Sequence, residues 1–248
     1  MLRRWFAAVI LVMSLAVVAL HADDFWVKKK WQDWSKDDCN KMLRDSPWSR
    51  KWSQSLSNNG PGLPSTTGGA NAGTAGDAVN EIDYYAQIRS ALPLREAIVR
   101  QFQIGAKYDK MTPEQKKSFD AQADAILNRD YSSAIVVHFV YETSARTFAE
   151  RLSEYWQTIP TDAPPPAVYL INQRGDHIRP ERYIAPRAGG YEFEMIFPRV
   201  VNNEPVVREG DKTIEVQFQE PVIYTFPSDL ANFEFRIDKM TWDGKPAF

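Results

Sequence analysis

Hydrophobic and polar positions change their spacing several times along the chain, and each change predicts a different kind of element. An apolar run from Trp5 to Leu20 follows Arg3 and Arg4, and the chain turns polar at His21-Ala22-Asp23-Asp24. A basic start, an apolar stretch and a small residue are the layout of a secretory signal, so residues 1–22 are expected to be removed after Ala22. Leu20 is larger than such sites prefer two positions earlier, and a retained anchor is the alternative. The run is shorter than the roughly 20 residues that span a bilayer, and no comparable run follows, so the mature chain is expected to have no integral membrane span.

Residues 23–56 are rich in tryptophan, with Trp26, Trp31, Trp34, Trp48 and Trp52 close together, and are expected to be helical. Ser35 and Asp38 have capping-box spacing, Cys39, Met42 and Leu43 form an apolar face, and Pro47 closes the helix. Residues 57–80 then change to Gly, Ser, Thr, Asn, Ala and Pro with Asp77 the only charge, the composition of a disordered linker.

Regular periods return in residues 81–163. Ile82, Tyr84, Ala86 and Ile88 alternate with polar neighbours as in a half-buried strand. Pro93, Leu94, Ile98, Phe102 and Gly105 predict a first amphipathic helix. Thr112-Pro113-Glu114-Gln115 starts a second, burying Phe119, Ala123, Ile126 and Leu127. Ala134 to Tyr141 is apolar on both faces, as in a central strand, and Phe148, Leu152, Tyr155, Trp156 and Ile159 mark a third helix ending at Pro160.

In residues 167–248 the period is two. Strands are expected at 168–173, 177–185, 191–197, 213–218, 222–226 and 233–237, with turns such as Gly189-Gly190 and Gly210-Asp211 between them. The predicted class is α+β: three amphipathic helices with mixed strands, then an antiparallel, β-sandwich-like C-terminal part.

Composition narrows the chemistry. A formal charge of −2, which becomes −4 when Arg3 and Arg4 leave with the signal, argues against nucleic acid as a partner. Cys39 is the single cysteine, so an intramolecular disulfide is excluded and stability must come from a core. No two-histidine zinc motif, cysteine pair, phosphate loop or nucleophile elbow is present; no catalytic residue, metal ligand or cofactor is assigned. His138 lies mid-strand beside Val136 and Val140, where a hydrogen-bonded core histidine is the ordinary outcome. His177 follows a turn and should be solvated. Glu192 and Glu194 share one strand face about 6.6 Å apart, near the separation of paired glycosidase carboxylates, yet the opposite face is so apolar that they are expected to meet water. Arg174-Gly175-Asp176 spells an adhesion tripeptide that a turn between strands explains better.

Several short motifs resemble a set of uncharacterised exported proteins from acidobacterial genomes: Trp31-x-x-Trp34-Ser35, Asp45-Ser46-Pro47-Trp48, Ser90-Ala91-Leu92-Pro93-x-Arg95-Glu96-Ala97, Phe197-Pro198-Arg199, and Phe235 to Lys245 with Met240 and Gly244-Lys245. The resemblance implies export and a shared architecture and supplies no activity.

The expectation is an exported protein, periplasmic or extracellular, that is non-enzymatic and binds an envelope or extracellular protein or a glycan. Trp26, Trp31, Trp34, Trp48 and Trp52 are the candidate binding residues, since basic residues interleaved with indoles suit a partner surface. A short helix is not stable alone in water, so docking of this segment on its own body is the other outcome. The alternatives are an extracytoplasmic hydrolase with a carboxylate- or His138-based site, and a structural envelope component.

Overall fold

The computed structural model describes residues 25–56, 80–161, 165, 167–223 and 229–248. The expected signal, residues 57–79 of the expected linker, and residues 224–226 of the strand expected at 222–226 lie outside the described residues; Val222 and Ile223 carry no strand.

The tryptophan-rich segment is not helical throughout. A single helical turn at Phe25–Lys28 and a 3-10 turn at Trp31–Asp33 lead into α1 (Lys36–Arg44). Ser35 Oγ accepts from the Asp38 N–H at 3.1 Å, and the Asp38 carboxylate accepts the Ser35 N–H at 2.9 Å, so both halves of the capping box are made. The chain then extends as β1 (Ser49–Leu56), where half-buried Arg50, Trp52 and Gln54 alternate with exposed Lys51 and Ser53. This period of two places one row of side chains against the core, which a helix could not do.

Strand β1 pairs antiparallel with β2 (Asn80–Ile88) along its whole length, from Ser49↔Gln87 to Leu56↔Asn80. The residues at both ends of the low-complexity segment are therefore cross-strand neighbours, and the tryptophan-rich segment enters the same sheet as the chain that follows it. After β2 come α2 (Leu92–Gly105), α3 (Pro113–Leu127), β3 (Ala134–Thr143) and α4 (Arg146–Thr158). A second complete capping box, Thr112 with Gln115, opens α3. Phe102, expected inside, is 55% exposed, because the buried positions of α2 stop at Val99 and its last turn projects beyond the core. Phe119, Ile126 and Leu127 are half-buried for a similar reason: α3 sinks only Ala123.

The remaining strands are β4 (Val168–Asn172), β5 (His177–Ile178), β6 (Arg182–Ile184), β7 (Glu192–Pro198), β8 (Val200–Val201), β9 (Glu204–Pro205), β10 (Thr213–Gln219), β11 (Leu230–Arg236), β12 (Thr241–Trp242) and β13 (Lys245–Pro246). They build a five-stranded sheet in the order β1-β2-β3-β7-β6, a four-stranded sheet in the order β11-β10-β4-β5, and two small hairpins. The strand expected over 177–185 is thus two strands in different sheets. Pro180 lacks an amide donor, and the chain crosses from one sheet edge to the other at Arg179-Pro180-Glu181.

Aromatic side chains fill the space between the sheets. Phe218 of β10 meets Tyr84, Phe139 and Trp156 at 5.2, 5.5 and 5.7 Å between ring centroids, and Phe233 of β11 meets Phe139 at 5.5 Å. Such pairs add about 0.5–1.5 kcal/mol each beyond the area they bury. The protein is a mixed α+β structure, with helices and strands in its N-terminal part, several antiparallel sheets in its C-terminal part, and no closed barrel among the described residues.

Candidate functional site

Strand β5 is an edge strand, and the chain on either side of it turns sharply. Asn172 fixes the β4–β5 turn: its Oδ1 accepts the N–H groups of Arg174 and Asp176 at 3.0 Å each, while its Nδ2 donates to Asp176 Oδ2 and to the Val206 carbonyl. Gly175, at φ 83°, supplies the left-handed residue the turn requires. Arg174 bends back, donating from Nε to Asp176 at 3.1 Å and from Nη2 to the Pro205 carbonyl, with Asp211 at 3.6 Å. The Arg-Gly-Asp tripeptide is consequently a locked turn with its two charges paired to each other.

Between this turn and the β8–β9 hairpin lies a cleft of about 640 Å³. Its floor is buried Ile178, Pro198 and Val206, and its rim carries His177, Arg179, Glu181, Asn202, Glu204 and Arg208. Arg208 pairs with Glu204 at 2.8 Å. Arg179 rests over the Tyr169 ring at 5.8 Å, and neither it nor Glu181, across Pro180, has an ion pair among the described residues. The cleft thus offers one unpaired cation and one unpaired anion above an apolar floor.

His138, Glu192 and Glu194 come together on the outer face of the five-stranded sheet, where β3 and β7 pair as His138↔Glu194 and Val140↔Glu192. Nδ1 of His138 lies 3.2 Å from Glu194 Oε1, and Nε2 lies 3.3 Å from Glu192 Oε2 as a charge contact without hydrogen-bond geometry. The close approach of His138 holds the Glu192 carboxyl below its ordinary range, against the opposing effect of burial. Burial pushes Glu194 upward, but the His138 hydrogen bond and the charges of His138, Arg89 and Arg129 outweigh it, so its net displacement is also downward. Arg89 is drawn down to about 10 by burial, against the pull of both glutamates. The two glutamates share a face, as their spacing requires. Their engagement with His138 was not legible, because nothing local in the sequence says that β7 lies beside β3.

Two buried carboxyls have no sequence signal at all. Glu220, after β10, is pushed up to about 7 by burial, in spite of the opposing effect of the Tyr84 hydroxyl. Glu96 of α2 is pushed up to about 8 by burial, with Asp243 adding to the effect. Among the described residues no group of three His, Cys, Asp or Glu side chains is arranged to hold a metal ion. Burial pushes the Cys39 thiol up to about 11, which makes it inert.

The candidate binding tryptophans occupy the core. Trp34 and Trp48 have no exposed surface and Trp26 is 8% exposed, while Trp31 and Trp52 are half-buried. Trp242 stands between Trp34 and Trp48, at 5.8 and 6.3 Å, and Trp26 packs on Trp48 at 5.9 Å. Trp48 Nε1 donates to the Ala247 carbonyl and Arg199 donates to the Phe248 carbonyl, so scattered motif residues converge on the C-terminal hairpin. No helix among the described residues is long and apolar enough to cross a membrane.

Compared with known proteins, the chain matches no family model, no curated protein and no solved structure.

Proposed function

We propose that the protein is exported and non-enzymatic, and that it binds a small peptide-like ligand carrying both charge signs in the cleft between the β4–β5 turn and the β8–β9 hairpin. The observation that carries this reading is the pair Arg179 and Glu181, held on either side of buried Pro180 over an apolar floor with no ion-pair partners among the described residues. A carboxylate would sit against Arg179 and an ammonium against Glu181, with aliphatic groups on Ile178, Pro198 and Val206. The rim has as many carboxylates as arginines, which suits neither a polyanion nor a polycation. A glycan is less well served, since no Trp, Tyr or Phe side chain lines the cleft for a sugar ring to stack on. One wall comes from the β4–β5 edge of the four-stranded sheet and the other from the separate β8–β9 hairpin.

The hydrolase alternative would centre on His138. Both imidazole nitrogens face carboxylates, and the ring is buried on a sheet face, so no position is left where a reacting atom would approach it. This arrangement serves to order a polar sheet surface rather than to transfer protons.

Titration of labelled protein with uncapped tripeptides that carry one basic and one acidic side chain tests the proposal by amide chemical-shift mapping. Shifts should cluster at His177, Arg179 and Asn202 and disappear in Arg179→Ala. Absence of shifts there, shifts centred on His138 and Glu192, or hydrolysis of the peptide would each reject it.

A further inference from the structure

The outer strands of the two larger sheets are β1 and β6 in one and β5 and β11 in the other. Strands β5 and β6 are only two and three residues long, which leaves β1 and β11 as the extended edges. Hydrogen bonds at their ends fix which residues turn their backbone groups outward. The Trp48 carbonyl accepts from the Ile88 N–H at 3.0 Å, so Trp48 and, by the alternation of an antiparallel ladder, Arg50, Trp52 and Gln54 direct their backbone groups to β2. Ser49, Lys51, Ser53 and Ser55 direct theirs away from the sheet. By the same alternation, the bond from the Glu220 N–H to the Asp229 carbonyl makes Leu230, Asn232, Glu234 and Arg236 the outward row of β11.

The two rows are not equally open. On β11 the Glu234 carbonyl already accepts from Arg50 Nε at 2.8 Å. On β1 the groups of Ser49 are spent, its N–H on the Ser46 carbonyl and its carbonyl on Arg50 Nη1. The next outward residues, Lys51, Ser53 and Ser55, have no backbone partner among the described residues. Edge strands are usually blunted by proline, a bulge or a lysine that projects over the edge. Strand β1 has no proline and no break in its register. Its cations are committed elsewhere: Lys51 Nζ is drawn back to Asp83 of β2 at 2.8 Å, and Arg50 lies over the Phe235 ring at 5.9 Å. Ser53 Oγ donates to the same Asp83 carboxylate at 2.7 Å, so this side chain also leaves the edge clear.

We propose that this edge pairs with a second copy of the chain: two β1 strands run antiparallel about a two-fold axis at Ser53 and join the two five-stranded sheets into one. In that register Lys51 faces Ser55 of the second copy and Ser53 faces Ser53, so each free N–H meets a free carbonyl, and no free group is left over. Trp52, half-buried, comes opposite Gln54 of the second copy, and no like charges face each other. The neighbouring registers are worse. An axis at Lys51 sets Lys51 against Lys51, and an axis at Trp52 sets Ser55 against the spent groups of Ser49. The contact is narrow and mostly main-chain, so the dimer forms reversibly as concentration rises. It is independent of the cleft.

Sedimentation velocity and amide hydrogen exchange on the full chain, at low and high concentration, test it together. The sedimenting mass should double, and the amides of Lys51, Ser53 and Ser55 should gain protection with concentration, while those of Trp52 and Gln54, already paired with β2, stay unchanged. Ser53→Pro removes an N–H that β2 does not use, so this variant should unfold near the wild-type midpoint and remain monomeric. Under mild oxidation Ser53→Cys should link two copies, since facing Cα atoms of a hydrogen-bonded pair stand about 5.5 Å apart. Lys51→Cys, about 14 Å from its equivalent, should not, and buried Cys39 stays out of the reaction. A chain that is monomeric at every concentration, or a dimer whose newly protected amides lie outside β1, would overturn the proposal, as would linkage through Lys51→Cys as readily as through Ser53→Cys. Should Ser53→Pro not fold, the two cysteine variants decide.

Discussion

At the scale of single residues, the decisive feature is which large and which ionisable side chains the fold removes from water. Trp48 loses all exposure and gives its indole N–H to the Ala247 carbonyl, whereas Trp31 is only half-buried. Trp48→Ala should therefore cost about 3–5 kcal/mol and Trp31→Ala about 1 kcal/mol, read by denaturant unfolding. The sequence marks both tryptophans alike, because indole density carries no information about which ring reaches the interior. The buried glutamates set a pH dependence with a definite sign. Glu220 at about 7 and Glu96 at about 8 bind protons more tightly in the folded than in the unfolded chain, so their contribution is fully present below the ordinary carboxylate range and is lost as pH rises through those values. Glu192 and Glu194 are displaced downward, so their contribution is present above that range and is lost as pH falls below it. Stability should peak at mildly acidic pH and decline toward pH 8, and Glu220→Gln should flatten the decline around neutrality. A wild-type stability that rises from about pH 5 to pH 8 would contradict this assignment.

At the scale of elements, local chemistry announces ends better than neighbours. The capping residues Ser35 and Thr112, with Asp38 and Gln115 three positions on, placed two helix starts directly, and both capping boxes are complete. Ser35→Ala should destabilise by about 1 kcal/mol without altering the fold, because one N–H of the first turn loses its acceptor. What spacing does not reveal is partnership across the chain. The alternation at 177–185 reads as one strand, yet Pro180 divides it between two sheets. The expected α2 face includes Phe102, yet helix period says which residues share a side and not how far along the helix the neighbouring body extends. The cleft has the same origin: Asn172 and Arg179 are distant from Arg208 in sequence and meet it only because a locked turn and a hairpin face each other.

At the scale of the whole molecule, composition suggests a tryptophan-rich piece tethered to a body, and topology joins the two differently. Because β1 pairs with β2 from Ser49↔Gln87 to Leu56↔Asn80, the tryptophan-rich segment contributes an edge strand to the five-stranded sheet and lays Trp26, Trp34 and Trp48 into its core. Likewise β6 and β7 join β3, so one sheet spans the boundary that composition places between residues 163 and 167. The class was readable because periods of 3.6 and 2 are local, whereas the assembly depends on pairings up to two hundred residues apart, such as Trp48 with Ala247. The most direct test is a cut within residues 57–79, made by a broad-specificity protease on the folded protein, followed by size-exclusion chromatography in dilute buffer. The paired strands and buried tryptophans predict that the two fragments elute together and unfold in one transition. Clean separation, with the tryptophan-rich fragment leaving as a free peptide of solvent-exposed indole fluorescence, would contradict the account.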